Sequence, residues 1–184
     1  MNFSKYKSKV IDCAKCTDFE MKPSYGWVNS RIDFPYKIVD LLDLESSVIR
    51  IPKTAINKKG ATVPVKYIAP NIFCKNSNIT DIILDSDTLF EVKENVLKGC
   101  SNLCRIFIPK SVNHIYHGAF KDCQKLKEVY YEGTEDDWNN INIETSRKII
   151  NNKDNLGLIC KIEEEKVHGN EPLLKAKKYY NCKI

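Results

Sequence analysis

The 184-residue chain is 42% hydrophobic with a formal net charge of +5, enough apolar material for one folded domain, so disorder is not the expectation. Seven Gly and seven Pro exclude collagen-like and low-complexity classes. The longest apolar stretches, such as Ile38 to Leu44, are broken by Asp40 and Asp43 and fall well short of the roughly 20 residues a membrane-spanning helix needs.

From the N-terminus, Met1 to Cys16 carries lysines but no continuous apolar middle, because Lys9, Asp12 and Lys15 interrupt it. As it stands the chain reads as cytoplasmic, or as a surface protein if a leader is removed. Phe3, Tyr6, Val10 and Cys13 or Ala14 fall at helical spacing behind Ser4, which predicts a short amphipathic helix. Residues 1–45 do not repeat and are expected to cap the repeating array that begins at residue 46. Trp27, Phe34 and Ile38 to Leu44 lead into a first strand at Val48-Ile49-Arg50-Ile51-Pro52.

Residues 46–75 hold Arg50, Lys53, Lys58, Lys59, Lys66 and Lys75 and no acidic residue. A solvated edge is one reading; an anion contact centred on Lys53, Lys58, Lys59 and Lys66 is the other.

The organising signal is an internal repeat over 46–143. Asn78-Ile79-Thr80-Asp81-Ile82-Ile83-Leu84 recurs as Asn102-Leu103-Cys104-Arg105-Ile106-Phe107-Ile108 and again as Lys125-Leu126-Lys127-Glu128-Val129-Tyr130-Tyr131, at spacings of 24 and 23 residues. The second half of each unit keeps that spacing: Val65, Ile68, Ile72 and Phe73, then Leu89, Val92, Val96 and Leu97, then Val112, Ile115, Ala119 and Phe120. In the downstream unit Trp138 takes the place of Ile115. A unit this short cannot bury its own apolar face, so successive coils must stack on one shared core. The front half alternates as a strand, with Leu103, Ile106 and Ile108 inward and Pro109 closing it by removing a backbone donor.

The stretch NLCRIFIPKSVNHIYHGAFKDCQKLKEVYY (102–131) resembles the BspA-like leucine-rich repeat, whose unit runs L-x-x-I-x-I-P-x-S-V-x-x-I-x-x-x-A-F-x-x-C. KTAINKKGATVPVKYIAPNIF resembles the opening repeat of such arrays, and VYYEGTEDDWNNINI with NEPLLKAKKYYN their closing segment. The second unit departs, with Asp85 for Pro and Asn95-Val96-Leu97 for Gly-Ala-Phe, which predicts a slightly distorted coil. The resemblance implies a mainly β solenoid with an N-terminal cap and a C-terminal capping segment, no shared catalytic residues, and binding as the class of function; known members are mostly surface or secreted binding proteins.

Within 144–184, the segment 144–169 reads as an insertion, a hairpin with strands near Arg147 to Ile150 and Leu156 to Ile162, or a helical start. It is either a binding loop or a passive excursion.

Stacking places equivalent residues about 4.8 Å apart, so surface columns can be read off the repeat. Asp81, Arg105 and Glu128 form an outward column of alternating charge, and Arg50, Ile83, Phe107 and Tyr130 its neighbour. If exposed, the second column resembles the anchors of a protein interface; the alternative is that the N-terminal segment or the insertion covers it.

Cys100 and Cys123 share one repeat position and read as small buried residues rather than reactive thiols or disulfide partners. Cys13 and Cys16 make a C-x-x-C that could meet Cys100 and Cys104 around zinc, but Cys100 belongs to the core and Cys104 points away. His114, His117 and His168 lack a recurring catalytic arrangement, so neither an enzyme nor a cofactor is expected.

The leading expectation is a non-enzymatic protein-binding module, in its most concrete form a small cytoplasmic inhibitor of a host enzyme or nucleoprotein. Alternatives are a surface adhesin, and a nucleic-acid binder using 46–75 and Lys175, Lys177, Lys178 and Lys183.

Overall fold

A computed structural model describes the backbone of residues 10–12, 21–23, 36–38, 47–56, 62–68, 70–153, 159–166 and 169–183, and the side chains of residues 47–54, 62–68, 70–145 and 169–183. Cys13, Cys16, Lys58, Lys59, Trp27, Phe34 and His168 lie outside the described residues.

The main sheet has six parallel strands in the order β1 (Val10–Asp12), β4 (Val48–Ile51), β7 (Asp81–Leu84), β9 (Arg105–Ile108), β11 (Glu128–Tyr131) and β15 (Lys177–Tyr179). Its register is the sequence repeat made visible: Ile49, Ile82, Ile106 and Val129 pair in line, all buried. Burying one such side chain contributes about 1.5–3 kcal/mol, so each coil depends on its neighbours for most of its stability. A second parallel ladder joins β8 (Glu91–Val92), β10 (His114–Ile115) and β12 (Asn142–Ile143) on the return of each coil. A third sheet orders β2 (Met21–Pro23), β3 (Tyr36–Ile38), β6 (Thr62–Ile68) and β5 (Thr54–Ile56). Two short helices, α1 (Glu135–Asn139) and α2 (Glu171–Lys175), follow the repeats.

Two backbone positions per coil are left-handed and recur with the repeat: Asn71 (φ 62), Asn95 (φ 56) and Gly118 (φ 68), then Lys75 (φ 62), Gly99 (φ 77) and Asp122 (φ 63). Asn tolerates this conformation better than most residues with a side chain, because its short amide bonds locally. The second coil is therefore regular where distortion was expected. Asp85 is explained as well. Its N–H donates to the Ile51 carbonyl at 2.8 Å, a bond proline cannot make.

Three expectations are corrected. Val10–Asp12, read as part of a helix, is a strand parallel to Val48–Arg50. The β-branched pair Val10-Ile11 suits a ladder, and the strand occupies an edge of β4 that would otherwise stand open. Ile143, not Trp138, lies in register with Ile115. Trp138 sits instead on α1, whose Thr134–Asp137 capping box turns the chain, and its ring meets Tyr131 edge-on at 5.3 Å. Finally, the basic stretch 46–75 is not without carboxylates: the next coil brings Asp85 to Arg50 and Asp87 to Lys53, the latter at 3.5 Å. Lys66 is half-buried.

The insertion is an antiparallel hairpin, β13 (Ser146–Lys153) with β14 (Ile159–Lys166), longer than the sequence indicated. The closing segment is held by Asn170, which is buried. Its amide donates to the carbonyls of Tyr116 and Glu144, both at 3.0 Å, and its oxygen accepts the Phe120 N–H at 3.3 Å. Gly169 beside it approaches Gly118 so closely that a Cβ would lie 2.6 Å from the Gly118 Cα.

Candidate protein interface

The strand register lines up the expected columns. Val48, Asp81, Arg105, Glu128 and Lys177 form one; Arg50, Ile83, Phe107, Tyr130 and Tyr179 form the other. The second is not an exposed anchor row. Ile83 and Phe107 are each 1% exposed and Tyr130 4%, and with Val48 they make a second apolar cluster on the outward face. Tyr179 and Cys182 of the closing segment pack against it, Tyr179 stacking on Tyr130 with ring centroids 4.9 Å apart. This outward column is thus core, and Arg50 at its margin is occupied by Asp85.

The charged column is partly engaged within itself. Arg105 Nε donates to Asp81, whose other oxygen accepts the Thr80 hydroxyl at 2.7 Å. Glu128 accepts the Tyr130 hydroxyl at 2.8 Å, and burial, with that carboxylate beside it, pushes the Tyr130 phenol well above its ordinary value. Arg105 and Glu128 remain half-buried and line, with Cys104 and Lys127, a hollow of about 380 Å³ at the strand-entry rim. A second hollow of about 540 Å³ shares Lys127 and continues to α2 and β15. The backbone holds this rim in step: the N–H groups of Thr80, Cys104, Lys127 and Lys177 donate to the carbonyls of Ser47, Thr80, Cys104 and Lys127 at 2.7 to 3.0 Å.

The Cys100 and Cys123 thiols are fully buried and donate to the Phe73 and Leu97 carbonyls, both at 3.1 Å. Burial pushes both up to about 12, so they are inert core groups. Among the described residues, no group of three or more His, Cys, Asp or Glu side chains could hold a metal ion.

One polar cluster was not foreseen. Glu144 bridges two histidines, at 2.9 Å from His114 Nε2 and 3.2 Å from His117 Nδ1, and also accepts the His117 backbone N–H at 3.0 Å. Burial alone would raise this carboxyl; the hydrogen bonds outweigh it and hold it below its ordinary 4.5. The signal lay in the register, since placing Ile143 opposite Ile115 brings Glu144 to this rung. Beside it His114 stacks on Tyr116 at 4.1 Å, and the Lys93 ammonium lies 4.4 Å from the Tyr116 ring centroid.

A parallel-stranded coil repeated at 23- and 24-residue spacing, with buried cysteines at a fixed position, defines a leucine-rich repeat protein. More narrowly, the chain belongs to the BspA-type leucine-rich repeat family, whose region matches residues 43–149. Among solved structures it is similar to the T. pallidum leucine-rich repeat protein, at 18% identity and TM-score 0.50, over 63% of this chain and 51% of that one. It is also similar to a leucine-rich repeat protein from Bacteroides capillosus, at 21% identity and TM-score 0.47, over 52% of this chain and 70% of that one. A leucine-rich cell surface protein from Faecalibacterium prausnitzii aligns at 21% identity and TM-score 0.47, over 60% of this chain and 34% of that one. No curated protein sequence matches the chain. Its repeat region marks it as a protein–protein interaction module.

Proposed function

We propose that the protein binds its partner at the strand-entry rim, with Asp81, Arg105 and Glu128 giving charge specificity, and that it acts in the cytoplasm as a small inhibitor that occupies a host enzyme or nucleoprotein. The observation behind the rim is the pair of hollows sharing Lys127, in a sheet whose outward apolar column is already packed. A pre-formed concave surface lined by charged side chains on a rigid ladder binds at low ordering cost.

Photo-cross-linking tests the surface. A benzoylphenylalanine at Gln124, which lines the larger hollow, should capture one discrete protein from native lysate, while the same group at Phe90, exposed beside the second ladder, should not. Equal capture from both positions, or capture from Phe90 alone, overturns the rim. The captured protein, once purified, should lose its own activity on addition of one equivalent of this chain; unchanged activity removes the inhibitor role. Labelling of the protein by a membrane-impermeant reagent on intact cells would replace the cytoplasmic assignment with a surface one.

A further inference from the structure

We infer that the larger hollow docks an extended acidic segment of the partner protein, its carboxylates on Lys127, Lys175 and Lys177 and an apolar side chain on Leu126 and Ala176. This rests on the proposed protein-binding role and supplies the partner's chemistry.

The charge distribution carries it. Five cations of the repeats face a carboxylate, Arg50 on Asp85, Lys53 on Asp87, Lys93 on Glu91, Arg105 on Asp81 and Lys110 on Asp137. Around this hollow three lysines converge without one. Lys127, Lys175 and Lys177 are exposed, and among the described residues no carboxylate pairs with them. Lys177 instead sits 4.8 Å from the Tyr179 ring centroid, a contact that orients the ammonium and leaves its charge available to an anion. The carboxylate in the lining, Glu171, already accepts the Gly169 N–H at 2.6 Å.

The three lysines are also placed in advance. The Lys177 N–H donates to the Lys127 carbonyl at 2.8 Å, and Lys175 ends the α2 turn that precedes this strand. Between them the floor is apolar, with Leu126 and Ala176 nearly buried. A basic rim over an apolar floor fits a segment alternating acidic and apolar residues. A volume of about 540 Å³ lies in the range of hollows that bury small ligands, so it accepts a few residues of an extended segment rather than a folded face. Nucleic acid fits less well, because among the described residues no aromatic ring lines the hollow to stack a base.

The test is fluorescence anisotropy on the full chain with a short labelled peptide of alternating Glu and Leu, compared with Gln/Leu and Lys/Leu versions and with oligothymidylate. The acidic peptide should bind at least tenfold more tightly than the Gln/Leu peptide and weaken as salt rises from about 0.05 to about 0.5 M. K127E/K175E/K177E, all at exposed positions, should keep the wild-type melting temperature, lose the acidic peptide by at least tenfold and gain the Lys/Leu peptide; K121E, exposed outside the lining, should leave binding unchanged. Equal affinity for the Gln/Leu peptide, an unaltered triple variant, or tighter binding of oligothymidylate each overturns the inference. Cross-linking from the uncharged Gln124 position separates the two proposals: if it captures a protein while no acidic preference appears, the rim stands and the partner chemistry fails.

Discussion

The second and third coils run over the same backbone path with different residues. The third carries Pro109 and Gly118-Ala119-Phe120, the second Asp85 and Asn95-Val96-Leu97, yet strand register, left-handed positions and burial agree between them. A medium pair, Val96 and Leu97, fills the space that a small and a large residue, Ala119 and Phe120, fill one coil on, all at most 1% exposed. The repeat therefore specifies core volume, two left-handed turns and a strand end, and several residues satisfy each requirement.

Core deletions test the volume requirement and give the largest effect. Phe120→Ala should cost about 3–5 kcal/mol in urea denaturation and Leu97→Ala about 2–5. Moving the second coil's solution into the third, as Ala119→Val with Phe120→Leu, should cost less than about 1.5 kcal/mol and less than Phe120→Leu alone. A double variant no better than the single would show that the coils do not trade volume.

Asp85→Pro comes next, because it writes the usual family residue into a coil that departs from it. Proline removes the N–H that reaches Ile51 and the carboxylate that holds Arg50, leaving a carbonyl and a half-buried cation without those partners. The expected loss is about 1–3 kcal/mol, and a neutral result would mean that the Asp85 bond is incidental. Smaller again is Asn95→Ala, expected to cost about 1–2 kcal/mol for a left-handed residue without a polar side chain, while Asn95→Gly should be close to wild type.

The parts of the fold that obey a period were legible in the sequence. The inward columns, the buried cysteines and the strand end at Pro109 follow from spacing alone, and the insertion hairpin from apolar strands around an Asn-rich turn. Exposure was not legible. An outward row such as Ile83, Phe107 and Tyr130 looks the same in sequence whether water or another segment lies on it, and Tyr179 and Cys182 are remote from it in the chain. The same remoteness hid the partners of Arg50 and Lys53, because counting charges along 46–75 leaves out the coil that stacks on it. The family resemblance fixed the class of fold and of function; the lysines around the larger hollow became a site only once α2 and β15 were folded beside β11.

The smallest effect at neutral pH separates the third coil from the second by a titration. Glu144 joins His114 and His117 of the third coil to the closing segment through the Asn170 bond to its carbonyl, whereas the matching rung of the second coil pairs Glu91 with Lys93 and Tyr116. Since the folded-state pKa of Glu144 is depressed, its contribution is fully present above the ordinary 4.5 and is lost as pH falls through the lower folded value. Wild-type melting temperature should therefore fall on acidification through and below pH 4.5 more steeply than that of Glu144→Gln, which has no proton to gain at this site. At neutral pH the two should differ little, because the pairs are half-exposed and the amide keeps an acceptor for the His117 N–H. Parallel acid profiles for the two proteins would place the acid sensitivity elsewhere and remove the claim that this carboxylate adds to Asn170 in fastening the last coil to its cap.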